Sequence, residues 1–488
     1  MAGFDVTERS IEELQAAQMH GIVSARGLTQ AYLTRIEALD QQGPALNAII
    51  RINPHALRQA AALDLERRGG GVRGPLHGIP ILVKDNFETI DMPTSGGSAV
   101  LKNFHPSNDA FQVRRLREAG AVIIGKTTMH ELAVGVTNAS SLSGYTRNPY
   151  ALDRVPGGSS GGTGAAIAAS FAAAGMGSDT AGSIRIPAAN QSLVGLRVSS
   201  GLSSRSGVMP LSTTQDVAGP LARCVADLAI MLDATVGVDR DDPSTAHADQ
   251  NLPSSYREQL RADTIEGLSI GVLCDLFGTM PEDEEVALVI NRSLATFAAH
   301  GASLHEIRLP QLEELMQSSN VIGHEFKFDF ADYLQRYPYA PVHSLEQLLK
   351  CNLHHAEING VLRARDETIT RDSLESQAAF AARGRLRNLV LDEMQRSAVD
   401  VFVYPVMRRK AALIGQAQFG VNSQLSAGTG LPAIAMPGGF TDDGVPVGIE
   451  FLGKCFAEQA LLNLAFSWEK IGKIRRIPEY IFSKRDVS

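Results

Sequence analysis

The residues in this chain best placed by type and spacing to do chemistry are the hydroxyls of Ser159, Ser160 and Ser183 and the amine of Lys84. The serines lie in two glycine-rich clusters, GGSSGG at 157–162 and GSDTAGS at 177–183. Glycine permits positive φ and close backbone approach, so both clusters predict tight turns around hydroxyl groups. A serine is a weak nucleophile at its own pKa and needs a base within hydrogen-bond reach. Lys84 ends the apolar run GIPILVK, and a lysine after a strand is by default a solvated charge. Buried beside the serines, it would lose affinity for its proton and become available as a general base.

Other readings of the glycine clusters compete. A phosphate-cradling loop needs Gly-Lys-Ser/Thr, and no lysine occurs between Lys126 and Lys327. A nucleophile elbow, G-x-S-x-G, fits formally around Ser159 or Ser160, but it wants an acid and then a histidine downstream. The last histidines are the adjacent His354 and His355, in a polar stretch that reads as helical. A flexible glycine-serine linker would not lead into residues 163–174, whose alanines, with Ile167 and Phe171 on one face, predict a buried helix.

Beyond these residues the chain resembles the amidase signature family. The matching motifs are KDN at Lys84, GKTTMHE from Gly125, TRNP from Thr146, PGGSSGGTGAA from Pro156 and GSDTAGSIRIPAA from Gly177. They continue through VGLRVSSGLSSRSGVMPLS from Val194 and TGLPAIAMPGGF from Thr429, dense over 74–232 and looser over 400–453. The intervals between Lys84, Ser159 and Ser183 also match the family's Lys, cis-Ser and Ser triad. The resemblance implies Ser183 as nucleophile, Ser159 as a proton relay after a cis peptide bond, and Lys84 as base. It also implies an oxyanion hole from the backbone N–H groups of Thr180, Ala181, Gly182 and Ser183, with Met129 and Ser160 among the substrate-contacting positions. Asp179 and Arg185 are implied as structural braces, and Asp85 as either a solvated turn residue or part of the active-site floor. Core filling is the other role open to Met129. In one place the chain departs from the pattern: Ala181 stands where the family commonly has the first of two glycines, so an added Cβ is expected to narrow the oxyanion loop or alter its dihedral.

The elements that must position these groups follow in order. Two amphipathic helices are expected within 7–40, on a face that could meet the core or a second copy in a homodimer, and one alanine-rich helix over 46–68. The Lys84 strand, a helix over 109–120 and a strand over 121–125 form a βαβ-like series. A helix is expected at 224–236, a polar boundary loop at 239–255, a strand at 268–273 and a helix at 284–300. Residues 312–398 read as mostly helical, and strands at 401–404, 433–436 and 447–451 precede a helix over 461–468. The expected fold is α/β, with one large mixed, mostly parallel sheet between helical layers. Its segments are an N-terminal helical region (1–70), the signature core (71–240), a variable substrate-selecting region with one strand (241–400), and C-terminal strands and a helix completing the sheet (401–488).

Among 312–398, the aromatics Phe326, Phe328, Phe330, Tyr333, Tyr337 and Tyr339 are expected to be core, with a pocket lining as the competing role. His130-Glu131 lacks a second histidine at helical spacing, and His354 and His355 do not share a helix face with each other, so no metal site is expected. Nor is a cofactor. The four cysteines stand far apart without a Cys-x-x-Cys pair and read as free thiols. A net charge of −8 over 488 residues argues against nucleic-acid binding. With no leader-like or membrane-spanning apolar run, a cytoplasmic location is expected.

The expected activity is cleavage of a linear small-molecule amide at its C–N bond, with esters or carbamates open to the same oxyanion hole. The alternative within the family is the A subunit of a glutamyl-tRNA amidotransferase, using the triad on glutamine and passing ammonia to a partner. A scaffold that has kept the fold without activity is disfavoured by the three filled triad positions.

Overall fold

The computed structural model describes residues 4–481; residues 1–3 and 482–488, at the tips of the first and last segments, lie outside that description. The strands, in chain order, are β1 (Ile49–Ile52), β2 (Pro80–Lys84), β3 (Val122–Thr127), β4 (Ala139–Ser140), β5 (Gly144–Tyr145), β6 (Ala174–Asp179) and β7 (Val194–Arg197). They continue with β8 (Val217–Ala222), β9 (Ser269–Leu273), β10 (Ser303–Ile307), β11 (Val401–Pro405), β12 (Ala433–Phe440) and β13 (Pro446–Leu452). Among the described residues, eleven of them join one sheet in the order β1-β3-β2-β6-β8-β7-β12-β13-β11-β9-β10, while β4 and β5 form a separate hairpin.

The sheet is mixed, as expected, with helices packed over it. Its parallel character is confined to β2 with β3 and β6, and to β9 with β10 and β11. The other neighbouring pairs are antiparallel. Every residue of β2, β3, β6, β8, β11 and β13 is buried, which is why these strands read as continuous apolar or small-residue runs rather than alternating ones.

The two N-terminal helices, Ile11–Met19 and Ala25–Leu39, insert Ile11, Leu14, Leu28, Tyr32 and Ile36 into the main core. The first starts on a reciprocal Ser10–Glu13 capping box. Of the aromatic group, Phe326, Phe330 and Tyr333 are buried in a second apolar cluster with Phe104 and Met129, as core. Among the described residues, no helix is long and apolar enough to cross a membrane.

Several expectations are corrected. Residues 46–68 are not one helix: β1 comes first, and the helix Ala56–Arg68 begins only after Pro54, which disfavours helical backbone at Asn53. The helix expected over 163–174 runs from Gly161 to Ala168. Ser170 then takes a left-handed φ of 56°, and Arg223 closes the turn by donating to the carbonyls of Ile167 (3.1 Å) and Ala172 (2.8 Å). The start of the second glycine cluster, expected as a turn, is the end of β6. Residues 241–400 hold two strands rather than one, because the polar, largely exposed β10 lacks the alternation that marks a half-buried strand. His354 and His355 precede a short 3-10 turn at Ala356–Ile358 instead of lying in a helix.

Candidate active site

The parallel pairing of β2 with β6 sets Val83 opposite Met176, so Lys84 and the turn after Asp179 emerge at the same end of the sheet. The helix Gly161–Ala168, which begins just after Ser159 and Ser160, lies directly on β6 because two positions there carry no side chain. A Cβ at Gly175 would stand 2.5 Å from Thr163 Cγ2, and one at Gly177 would stand 2.8 Å from Ser160 Oγ. The Ser160 N–H donates to the Ser183 carbonyl at 3.2 Å, and its hydroxyl donates to the Ser178 carbonyl at 3.2 Å. Three pieces distant in sequence therefore meet at Lys84, Ser159 and Ser183.

Lys84 is fully buried, with Nζ 2.7 Å from Ser159 Oγ and 2.8 Å from Ser178 Oγ. Asn86 donates to the same Ser178 hydroxyl at 3.0 Å. Burial pushes the Lys84 pKa down to about 7, against the upward pull of Asp216 and Asp179. A substantial neutral fraction at physiological pH follows, beside a hydroxyl it can deprotonate. The Gly158–Ser159 peptide is cis, and the Ser159 carbonyl accepts the His130 N–H at 3.1 Å. Ser183 is 6% exposed, and its hydroxyl has no hydrogen bond among the described residues.

Asp179 and Arg185 form a buried ion pair at 3.1 Å. Asp179 also accepts the N–H groups of Gly182 (2.7 Å) and Ile184 (3.1 Å) and pairs with Arg197 at 3.1 Å. Burial alone would raise its pKa, but Arg185 and Arg197 hold the carboxyl well below the usual range. On its other side Arg185 meets Glu450, which also accepts the Tyr404 hydroxyl at 2.8 Å. Sequence reasoning missed Arg197, Glu450, Ser178 and Asn86, because their neighbours come from other strands. Arg185→Met leaves two carboxylates buried without their shared cation. It is expected to cost about 3–5 kcal/mol of stability, read as a lower urea midpoint. An unchanged midpoint would refute the bracing role.

In the loop before Ser183, Gly182 has φ 115°, and an added Cβ would stand 2.0 Å from Ser423 Oγ, so only glycine fits. Ala181 is not among the residues with positive φ, so its Cβ brings no left-handed strain; it packs against the cluster that holds the fully buried Met129. One correction applies to the expected oxyanion donors. The Gly182 N–H is taken by Asp179, whereas the amides of Thr180, Ala181 and Ser183 have no acceptor among the described residues.

A second buried pair includes the residue that follows Lys84. Asp85 lies 3.3 Å from Lys126 and accepts the N–H groups of Ser95 (3.2 Å) and Gly97 (3.1 Å), so it is no solvated turn residue. Burial pushes His130 down to about 3, with nearby His355, Lys84 and Arg365 adding to the effect, and leaves it neutral. Glu131 accepts the backbone N–H groups of Ser141 (3.0 Å) and His355 (2.9 Å). Among the described residues, no group of three or more His, Cys, Asp or Glu side chains is placed to hold a metal ion.

A cavity of about 970 Å³ opens beside the oxyanion loop, reaching from Val136 and Ala181 to Leu276, Leu309, Met316 and Phe419, with Asn320 and Gln424 among its polar walls. The expected aromatic group takes no part in it.

Comparisons with known proteins bear on the family and the fold. The Amidase family profile matches residues 27–462. The A subunit of a glutamyl-tRNA(Gln) amidotransferase from Halorhodospira halophila is 36% identical, over 95% of this chain and 97% of its own. A probable amidase of Arabidopsis thaliana is 31% identical, over 98% and 93%. The native peptide amidase from Stenotrophomonas maltophilia superposes with a TM-score of 0.88 at 36% identity, over 97% of this chain and 99% of that one. On fold, motifs and similarity along nearly its whole length, this chain belongs to the amidase family, hydrolases that act on the C–N bonds of amides.

Proposed function

We propose that the chain cleaves an extended amide through an acyl-enzyme on Ser183, with Ser159 and Lys84 as the proton relay. The observation that carries this reading is the buried amine of Lys84, 2.7 Å from Ser159 Oγ at the end of the sheet where Ser183 sits. Neutral Lys84 takes the proton of Ser159 as Ser159 takes that of Ser183, whose oxygen attacks the amide carbon. The oxyanion forms against the free amides of Thr180, Ala181 and Ser183. The C–N bond breaks as the proton returns along the relay to the leaving nitrogen, and water repeats the sequence to release the acid. A cavity of this size, walled by both apolar and amide side chains, suits an extended organic amide better than a single amino acid.

A second reading has its own support. Many of the most similar curated relatives are amidotransferase A subunits, and on that ground the glutamine-dependent role, with ammonia passed to a partner chain, fits at least as well. Ammonia and amine release from peptide-like, alkyl and aryl amides and from glutamine by the purified chain separates the two. Turnover of the larger amides with glutamine untouched supports the first, and glutamine turnover the second. No turnover together with no fluorophosphonate adduct on Ser183 would contradict both.

A further inference from the structure

We infer that Arg197 and Gln215 are positioning residues that aim the amides of Thr180 and Ala181 at the substrate by holding the carbonyls on the far side of the same two peptides. This clamp rests on the catalytic reading above and follows from the planarity of the peptide bond. In a trans peptide the C=O of one residue and the N–H of the next point in opposite directions, so fixing a carbonyl fixes the amide that follows it. Every carbonyl from Asp179 to Gly182 has a partner. Arg197 donates to the Asp179 carbonyl, Gln215 Nε2 to that of Thr180 at 3.1 Å, and Ser423 Oγ to that of Ala181 at 2.8 Å. The Ile186 N–H donates to the carbonyl of Gly182 at 2.7 Å.

The amides opposite these carbonyls are those of Thr180, Ala181, Gly182 and Ser183. Asp179 takes the third, and the other three have no acceptor among the described residues. Unpaired backbone N–H groups in a largely buried loop are rare, and here three fall within the four residues that end at Ser183. A peptide flip at Asp179–Thr180 or Thr180–Ala181 would break a specific side-chain bond, so the clamp holds these two donors in place before substrate arrives, while the Ser423 bond secures the Gly182 amide that Asp179 already takes. The orientation of Gln215 is itself fixed: the Val321 N–H can only donate, and it donates to Gln215 Oε1 at 2.9 Å, which turns Nε2 toward Thr180. Val321 lies at the start of the helical region that follows the cavity-lining residues Met316, Gln317 and Asn320, so that region and the oxyanion loop share one side chain.

The test compares wild type, Gln215→Leu and Gln215→Glu, both of which remove the Nε2 donor to the Thr180 carbonyl, with Ser183→Ala as control. The probe is an arylboronic acid, which adds a serine oxygen to form a tetrahedral anion in the oxyanion site. Each clamp variant is expected to lose about 10- to 100-fold in kcat with KM within about twofold of wild type. Boronate affinity should fall in parallel with kcat/KM. If Gln215→Leu does not fold, Gln215→Glu alone decides, because it keeps an acceptor for the Val321 N–H. Wild-type kcat and boronate affinity in the folded variants, or a loss confined to KM, would overturn the inference while leaving the catalytic reading intact. Boronate binding or turnover that survives in Ser183→Ala would instead overturn the catalytic reading, and the clamp with it.

Discussion

Ser183→Ala is expected to lower kcat by at least about 10⁴-fold, the largest effect of any single substitution in this chain. The remaining serines cannot replace it. The Ser160 hydroxyl donates to the Ser178 carbonyl, and Ser159 is fully buried against Lys84. Residual rate should reflect only the oxyanion donors and the cavity, so substrate should still bind. Because the Ser183 hydroxyl makes no hydrogen bond among the described residues, stability should change by no more than about 0.5 kcal/mol. Intact mass after treatment with a fluorophosphonate, with turnover measured alongside, checks this: an adduct is expected on wild type and none on the variant. Turnover near the wild-type rate in Ser183→Ala would remove this residue from the mechanism.

Lys84→Ala is expected to cost about 10³-fold or more, since it removes the only base that, among the described residues, lies in hydrogen-bond reach of the relay. The pH profile carries the sharper signature. Lys84 must be neutral to act, and its pKa lies near 7, so log kcat/KM should climb with unit slope below that pH and level off above it. Lys84→Arg should not rescue activity at any pH in this range, because a guanidinium stays protonated.

The same shift has a thermodynamic counterpart. The folded chain releases this proton near pH 7, while the unfolded chain keeps it up to its ordinary value of 10.5. Across that window the unfolded state binds more protons, so this residue's contribution to stability rises with pH. Urea midpoints of wild type relative to Lys84→Met should therefore increase between pH 7 and 10. A flat difference, together with an activity profile lacking the acid limb, would show that Lys84 is not a depressed base.

The hydroxyl and amine positions were legible in the sequence because their neighbours are local: glycine clusters around Ser159 and Ser183, and an apolar strand ending at Lys84. The strands made of apolar runs were legible for the same reason. Others were hidden by their composition. β6 is rich in glycine and alanine because a helix must lie on it at contact distance, and the lack of side chains that permits this also removes the strand signal. β10 is an exposed edge strand with little apolar content to betray it.

The order of residues was thus enough to establish the family and the kind of chemistry, because a motif is a local record of what a reacting centre needs. Whether Lys84 is a solvated cation or a buried amine was settled only in three dimensions, since burial is a property of everything packed around it. So was the engagement of the Gly182 amide by Asp179, the fit of Ala181 without left-handed strain, and the walling of the cavity by segments near 276, 310 and 420 rather than by the aromatic group. Those outcomes depend on Arg197, Gln215, Ser423 and Glu450, which reach the site from other strands and loops at separations no local pattern records.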